Sequence, residues 1–178
     1  MRVFIAIELN DKIKDELVNN LYQLEEISIN GSYSRRSNFH LTIAFLGEVD
    51  YSGIEKIKTI MDDLSFKKEL MNMTKFGSFK TPEGETVFRK IEVSDSLIKY
   101  RDKLISKLIG EGFSPDTKPF NPHITLSRKT ILKENAFLVK LFYKELTYEA
   151  NHITLMKSER IDGVLTYTPI YRVYSQEN

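Results

Sequence analysis

Three histidines occur in the chain, and each stands two residues ahead of a threonine: His40-Leu41-Thr42, His123-Ile124-Thr125 and His152-Ile153-Thr154. The first two copies share more. Asn38 and Asn121 sit two residues before the histidine, and a basic residue (Arg36, Lys118) lies slightly upstream. The fragments NFHLTI and NPHITL therefore read as one strand written twice, nearly half a chain length apart. Imidazoles with an ordinary pKa of about 6.5 hold opposite protonation states around neutral pH, so one can accept a proton while the other delivers one. Neighbouring threonine hydroxyls can donate to non-bridging phosphate oxygens and stabilise charge in the transition state. Hydrolysis of a cyclic phosphate on ribose asks for this set: a base for water and an acid for the departing ribose oxygen. No metal is required.

Strand geometry says which of these groups can meet. Side chains alternate faces with period two. Phe39, Leu41, Ile43 and Phe45 then face a core, and His40, Thr42 and Ala44 face the other way. In the second copy Ile124 and Leu126 turn inward, and His123, Thr125 and Ser127 turn outward. One His and one Thr from each half predict a groove shared by two facing sheets. Strict alternation puts Arg128 on the inner face; a bend in the strand would be needed to make it a phosphate ligand.

The remaining elements follow from periodicity. RVFIAIE (2–8) reads as a strand, and a helix follows from Asp11 with Ile13, Leu17, Leu21 and Leu24 on one face, capped by Asn10 or Asp11. After the polar stretch NGSYSRRSN comes the first motif strand. A helix capped by Ser52 carries Ile54, Ile57, Ile60, Met61 and Leu64. Two strands, roughly 70–79 and 85–93, flank the turn TPEGE. Asp95 or Ser96 opens a third helix that ends at Gly110 and Gly112. The second motif strand precedes a short amphipathic helix from Ile131 to Phe142, and strands near 147–157 and 165–174 close the chain. Strands linked by tight turns and interleaved with helices predict an α+β fold with largely antiparallel sheets. No linker divides residues 1–178, which read as one compact domain of two pseudo-symmetric lobes.

Composition narrows the function classes. Lys plus Arg number 26 against 25 Asp plus Glu, which argues against extended nucleic-acid binding and permits local recognition of a phosphate. The absence of cysteine removes disulfides and thiolate metal sites. No stretch has the form of a signal peptide or membrane span, so a cytoplasmic protein, a monomer without membrane contact, is expected. Zinc held by the three histidines is a competing chemistry, but no two of them have i, i+2 or i, i+4 spacing. His152 lacks the preceding asparagine and reads as structural or solvent-exposed.

RVFIAIEL, NFHLTIAFLGEV and PFNPHITLSR together resemble the 2H phosphoesterase superfamily, in its RNA 2′,3′-cyclic phosphodiesterase branch, often labelled 2′-5′ RNA ligase. The resemblance runs through GEGF to LMKS and YTPIYRV. It implies a bilobal α+β fold in which two antiparallel sheets line a central cleft with helices outside. It implies that His40 protonates the 3′-oxygen leaving group and His123 activates water, giving a 2′-phosphate without cofactor or metal; reversible 2′-5′ RNA ligation, the reverse of 2′-5′ cleavage, would use the same site. Thr42, Thr125 and Arg128 would contact phosphate. The expected partners are RNA ends or, alternatively, small cyclic nucleotides and other cyclic phosphate esters. The family's tryptophan is missing from the strand at Val87–Lys90, which leaves base preference open.

Overall fold

Three of the four predicted amphipathic stretches fold as α-helices, and the start of each is set by a side chain accepting a backbone N–H. The computed structural model describes residues 1–176. Its elements are β1 (Arg2–Glu8), α1 (Asp11–Ile27), β2 (Ser28–Tyr33), β3 (His40–Glu48), α2 (Tyr51–Asp63), β4 (Glu69–Thr81), β5 (Gly84–Glu92), α3 (Asp95–Gly110), β6 (His123–Leu132), β7 (Leu146–Ala150), β8 (His152–Ile161) and β9 (Val164–Tyr174). Asn10 caps α1 by accepting from Ile13 N at 2.9 Å, Asp50 caps α2 and Ser94 caps α3. Each such cap stabilises its helix by about 1 kcal/mol. Ser52, the expected cap of α2, instead donates to the Asp50 carboxylate at 3.0 Å.

Two antiparallel sheets result. One runs β3-β1-β8-β9 and the other β2-β6-β5-β4-β7. Val3, Ile5 and Ile7 of β1 join the large core together with Leu17 and Leu24 of α1. By alternation Phe4 and Ala6 point the other way, and with Met156 they form a second small cluster against which Phe45 and Tyr167 pack. A register slip of β3 against β1 between Thr42 and Ala44 reverses the faces expected for Ala44, which joins the large core, and Phe45. That second face of the four-stranded sheet carries His40. Among the described residues no helix is long and apolar enough to cross a membrane.

Three expectations about elements need correction. No α-helix forms over 131–142: β6 continues to Leu132, and only a 3-10 turn at Leu138–Lys140 follows. Asn135 takes a left-handed φ of 61°, and Phe137, Val139 and Phe142 stay exposed, so no continuous apolar face is buried to hold a helix. The polar stretch after α1 begins as strand β2, because β6 offers it an edge to pair with. The single strand read over 147–157 is two strands in different sheets: β7 pairs with β4 and β8 with β1, with Asn151 between them.

Candidate active site

The two motif histidines occupy unlike strands. β3 is an edge strand, whereas β6 lies between β2 and β5. Both rings are nevertheless held the same way. Nδ1–H of His40 donates to the Asn38 carbonyl at 2.8 Å, and Nδ1–H of His123 donates to the Asn121 carbonyl at 2.7 Å. A protonated Nδ1 leaves the lone pair on Nε2, so both imidazoles present Nε2 as the working nitrogen. The repeated asparagine thus supplies a main-chain oxygen. Its side chain does separate work at Asn38, where Nδ2 donates to Leu165 O of β9 at 2.9 Å.

Around Nε2 the symmetry ends. Thr42 Oγ1 lies 2.9 Å from Nε2 of His40 and donates to it. The His40 ring packs against Phe4 (centroids 4.8 Å apart) and edge-on to Tyr167 (5.1 Å). His123 packs against Phe88 at 5.0 Å and Phe79 at 5.4 Å, and its Nε2 has no hydrogen-bond partner among the described residues. Both rings are partly buried.

A cavity of about 340 Å³ opens between the sheets. His40 lines it from β3, Thr125 and Arg128 from β6, and Tyr167 from β9. Arg35, just before β3, and Arg160, at the end of β8, complete its charged rim. The structure therefore brings His40, Thr125 and Arg128 to one space. Thr42 and His123 do not line it: Thr42 stands with its hydroxyl on His40, and His123 lies two residues along from Thr125 on the same strand.

Arg128 reaches the cavity because β6 bulges. Thr125 pairs with Phe88 and Ser127 with Val87, so the register against β5 slips there, and it slips again before the Thr130–Glu85 pair. Lys129 then takes a φ of 52°. Leu126 and Ser127 are consequently both buried, and Arg128 emerges on the side of Thr125. This corrects the alternation expected for Ser127, which bonds Thr130 Oγ1 at 2.8 Å in the interior. Gly31 of β2 accommodates the close approach, since a Cβ there would meet Ser127 Oγ at 2.8 Å.

Burial pushes the His40 pKa down to about 4; the Asn38 carbonyl opposes the shift, and the positive charges of Arg128 and His123 reinforce it. His123 is lowered for the same first reason, with Arg128 again contributing. Both rings are therefore neutral at pH 7 when the cavity holds no anion. This differs from the expectation of two unperturbed imidazoles. A bound phosphate anion offsets Arg128 and favours a proton on one of the pair.

His152 stands elsewhere. Its Nδ1 meets Asn151 Oδ1 at 2.7 Å, and its Nε2 lies 3.5 Å from Glu8 Oε1. Glu8 also accepts from Arg172 Nε at 2.7 Å and from Thr154 Oγ1 at 2.5 Å. His152, then Arg172 and Thr154, hold the Glu8 carboxyl far below the usual carboxylate range against the opposing effect of burial. This is a cross-strand polar clasp between β1, β8 and β9. Among the described residues no three His, Cys, Asp or Glu side chains gather as metal ligands.

Sequence reasoning passed over Arg160, Tyr167 and the two asparagine carbonyls. Only the carbonyls had a signal, the asparagine repeated at the same offset.

Comparison with known proteins accords with this geometry. An RNA 2′,3′-cyclic phosphodiesterase of Thermotoga maritima is 34% identical over 180 residues, covering 97% of this chain and 92% of that one. One from Methanocaldococcus jannaschii is 29% identical over 182 residues, covering 99% of both. The fold is shared with the crystal structure of E. coli LigT complexed with 3′-AMP, at a TM-score of 0.80 and 22% identity over 99% of this chain and 98% of that chain. The model of the 2′-5′ RNA ligase superfamily matches residues 14–162, and the chain belongs to that superfamily.

Proposed function

We propose that this protein hydrolyses RNA 2′,3′-cyclic phosphate ends to 2′-phosphates, with His40 and His123 as acid and base and no metal ion. One observation carries the reading. Two imidazoles from opposite sheets share a backbone clamp on Nδ1; His40 lines one cavity with Thr125 and Arg128, and His123 stands two residues from Thr125 on the same strand. The relatives named as RNA 2′,3′-cyclic phosphodiesterases support the same substrate class.

The cyclic phosphate anion sits against Arg128 and the Thr125 hydroxyl, and its charge raises the depressed pKa of the imidazoles. Nε2 of His123 takes a proton from water as the water oxygen attacks phosphorus. His40, protonated on Nε2, gives its proton to the 3′-oxygen as the P–O3′ bond breaks. The product is a 2′-phosphate with a free 3′-hydroxyl, and a proton has passed from water to the leaving group. Thr42 has a part in this cycle. While Nε2 of His40 is bare, the Thr42 hydroxyl donates to it; once Nε2 is protonated, that hydroxyl turns and donates to a phosphate oxygen. With a 5′-hydroxyl attacking phosphorus in place of water, the same steps form a 2′-5′ linkage as the P–O3′ bond breaks, and their reverse cleaves that linkage back to the cyclic phosphate and a 5′-hydroxyl.

The deciding experiment is hydrolysis of an oligoribonucleotide 2′,3′-cyclic phosphate in EDTA, with products separated as 2′- and 3′-phosphates. Turnover to the 2′-phosphate is expected. Activity abolished by EDTA, or a 3′-phosphate product, would overturn the assignment.

A further inference from the structure

The cavity holds more positive charge than a single cyclic phosphate uses. Arg35, Arg128 and Arg160 line it, and among the described residues no Asp or Glu does. The chain as a whole is nearly balanced, with 26 basic and 25 acidic residues. Basic side chains next to two of the three, and one on β9, are matched. Arg36, the very next residue after Arg35, is bound to Asp15 at 2.7 Å and Asp11 at 3.0 Å. Lys129, next to Arg128, is bound to Glu83 at 2.7 Å, and Arg172 to Glu8 at 2.7 Å. Arg35, Arg128 and Arg160 have no carboxylate partner among the described residues. Arg160 is aimed by its own hairpin: Nη1 donates to Gly163 O at 2.7 Å across the turn at Asp162 and Gly163, both at positive φ.

A cyclic phosphodiester carries one negative charge, and Arg128, next to Thr125, answers it. Arg35, in the segment between β2 and β3, and Arg160, at the end of β8, come from different elements and line the same cavity. The next charge a terminal nucleotide offers is the phosphodiester on its 5′-oxygen, one ribose away from the reacting phosphorus. We infer that Arg35 and Arg160 form a second phosphate subsite that takes this 5′ phosphodiester, so that the enzyme prefers RNA ends over cyclic mononucleotides. The inference rests on the function proposed above and separates its two substrate classes. Guanidinium groups suit the task because they present paired donors to phosphate oxygens and stay charged at any physiological pH.

The test compares adenosine 2′,3′-cyclic phosphate with a dinucleotide ending in the same cyclic phosphate, for wild type, Arg35→Ala, Arg160→Ala and the lysine variants. Wild type is expected to show kcat/KM about tenfold or more higher on the dinucleotide. Each alanine variant should reduce that ratio several-fold, and the double variant should bring it near one. The slope of log KM for the dinucleotide against log salt should fall by about 0.7 per arginine removed. Arg35→Lys and Arg160→Lys should restore part of the ratio, which a merely structural role would not do. Equal efficiency on both substrates in wild type, or variants that lower both alike, would overturn the subsite and leave the hydrolase reading standing. Wild type that turns over neither substrate would sink the hydrolase reading itself.

Discussion

The two His-x-Thr strands are near-copies in sequence and unequal partners in space. Both clamp Nδ1 on the carbonyl two residues back, at 2.8 Å and 2.7 Å. Beyond that clamp, His40 sits on an edge strand, has its Nε2 covered by Thr42 and is wedged between Phe4 and Tyr167. His123 sits on an interior strand with aromatic rings at its side and, among the described residues, no partner on Nε2. Thr42 serves its own histidine, whereas Thr125 opens onto the cavity. The comparison teaches that a repeated motif reproduces what the local backbone controls, here the tautomer. It does not reproduce what the neighbouring strands control, which is the use each side chain is put to.

The strongest attempt to break this comparison removes each ring. His40→Ala and His123→Ala should each lower kcat on a 2′,3′-cyclic phosphate by about 10²–10⁴-fold, read from steady-state rates. A variant that kept nearly full activity would remove its histidine from the proton relay. The threonines sharpen the contrast. Thr125→Val should cost roughly tenfold in kcat/KM, chiefly through KM, because a donor to the bound anion is lost. Thr42→Val should act chiefly on kcat, since its hydroxyl first engages the His40 ring. Identical KM and kcat effects would erase the proposed difference.

Titration offers a finer probe. Arg128→Gln should raise the pKa of both imidazoles, because the Arg128 charge lowers each of them; the C–H resonances of the rings report this by NMR. A rise at one ring only would mean that Arg128 does not stand between the pair. His40 also ties stability to pH. Its folded-state pKa of about 4 lies below the ordinary 6.5, so as pH falls the unfolded chain takes up the proton first. The stability due to neutral His40 is present above about pH 6.5 and is lost as pH drops toward 4. His40→Gln should flatten that part of a plot of urea midpoint against pH, and an unchanged slope would count against the burial of this ring. The smallest effect is expected at the third motif. His152→Ala should leave kcat within about twofold of wild type, because its ring meets Glu8 and Tyr174 away from the cavity.

Much of this was legible before any coordinates. Period-two alternation put His40 and Thr42 opposite Leu41 and Ile43, and His123 and Thr125 opposite Ile124 and Leu126, because parity along a strand is a local property. The helix faces of α1, α2 and α3 were readable for the same reason. Failures came where pairing across the chain overruled local pattern. The segment 131–142 carries helical spacing but finds no surface to bury it, and Ser28–Tyr33 carries little strand signal but finds an edge.

By itself, then, the sequence determined which two histidines share a motif, which face of each strand they take and that each follows an asparagine. Local backbone geometry is enough for that. Tertiary structure alone decided that Ser127 turns in and Arg128 turns out, through register slips of β6 against both β5 and β2. It also decided that Arg160 and Tyr167 arrive beside His40, and that the chain changes sheets at Asn151. Those outcomes depend on which strands pair and in what register. That choice is made by burying the whole core at once, and no short window of residues records it.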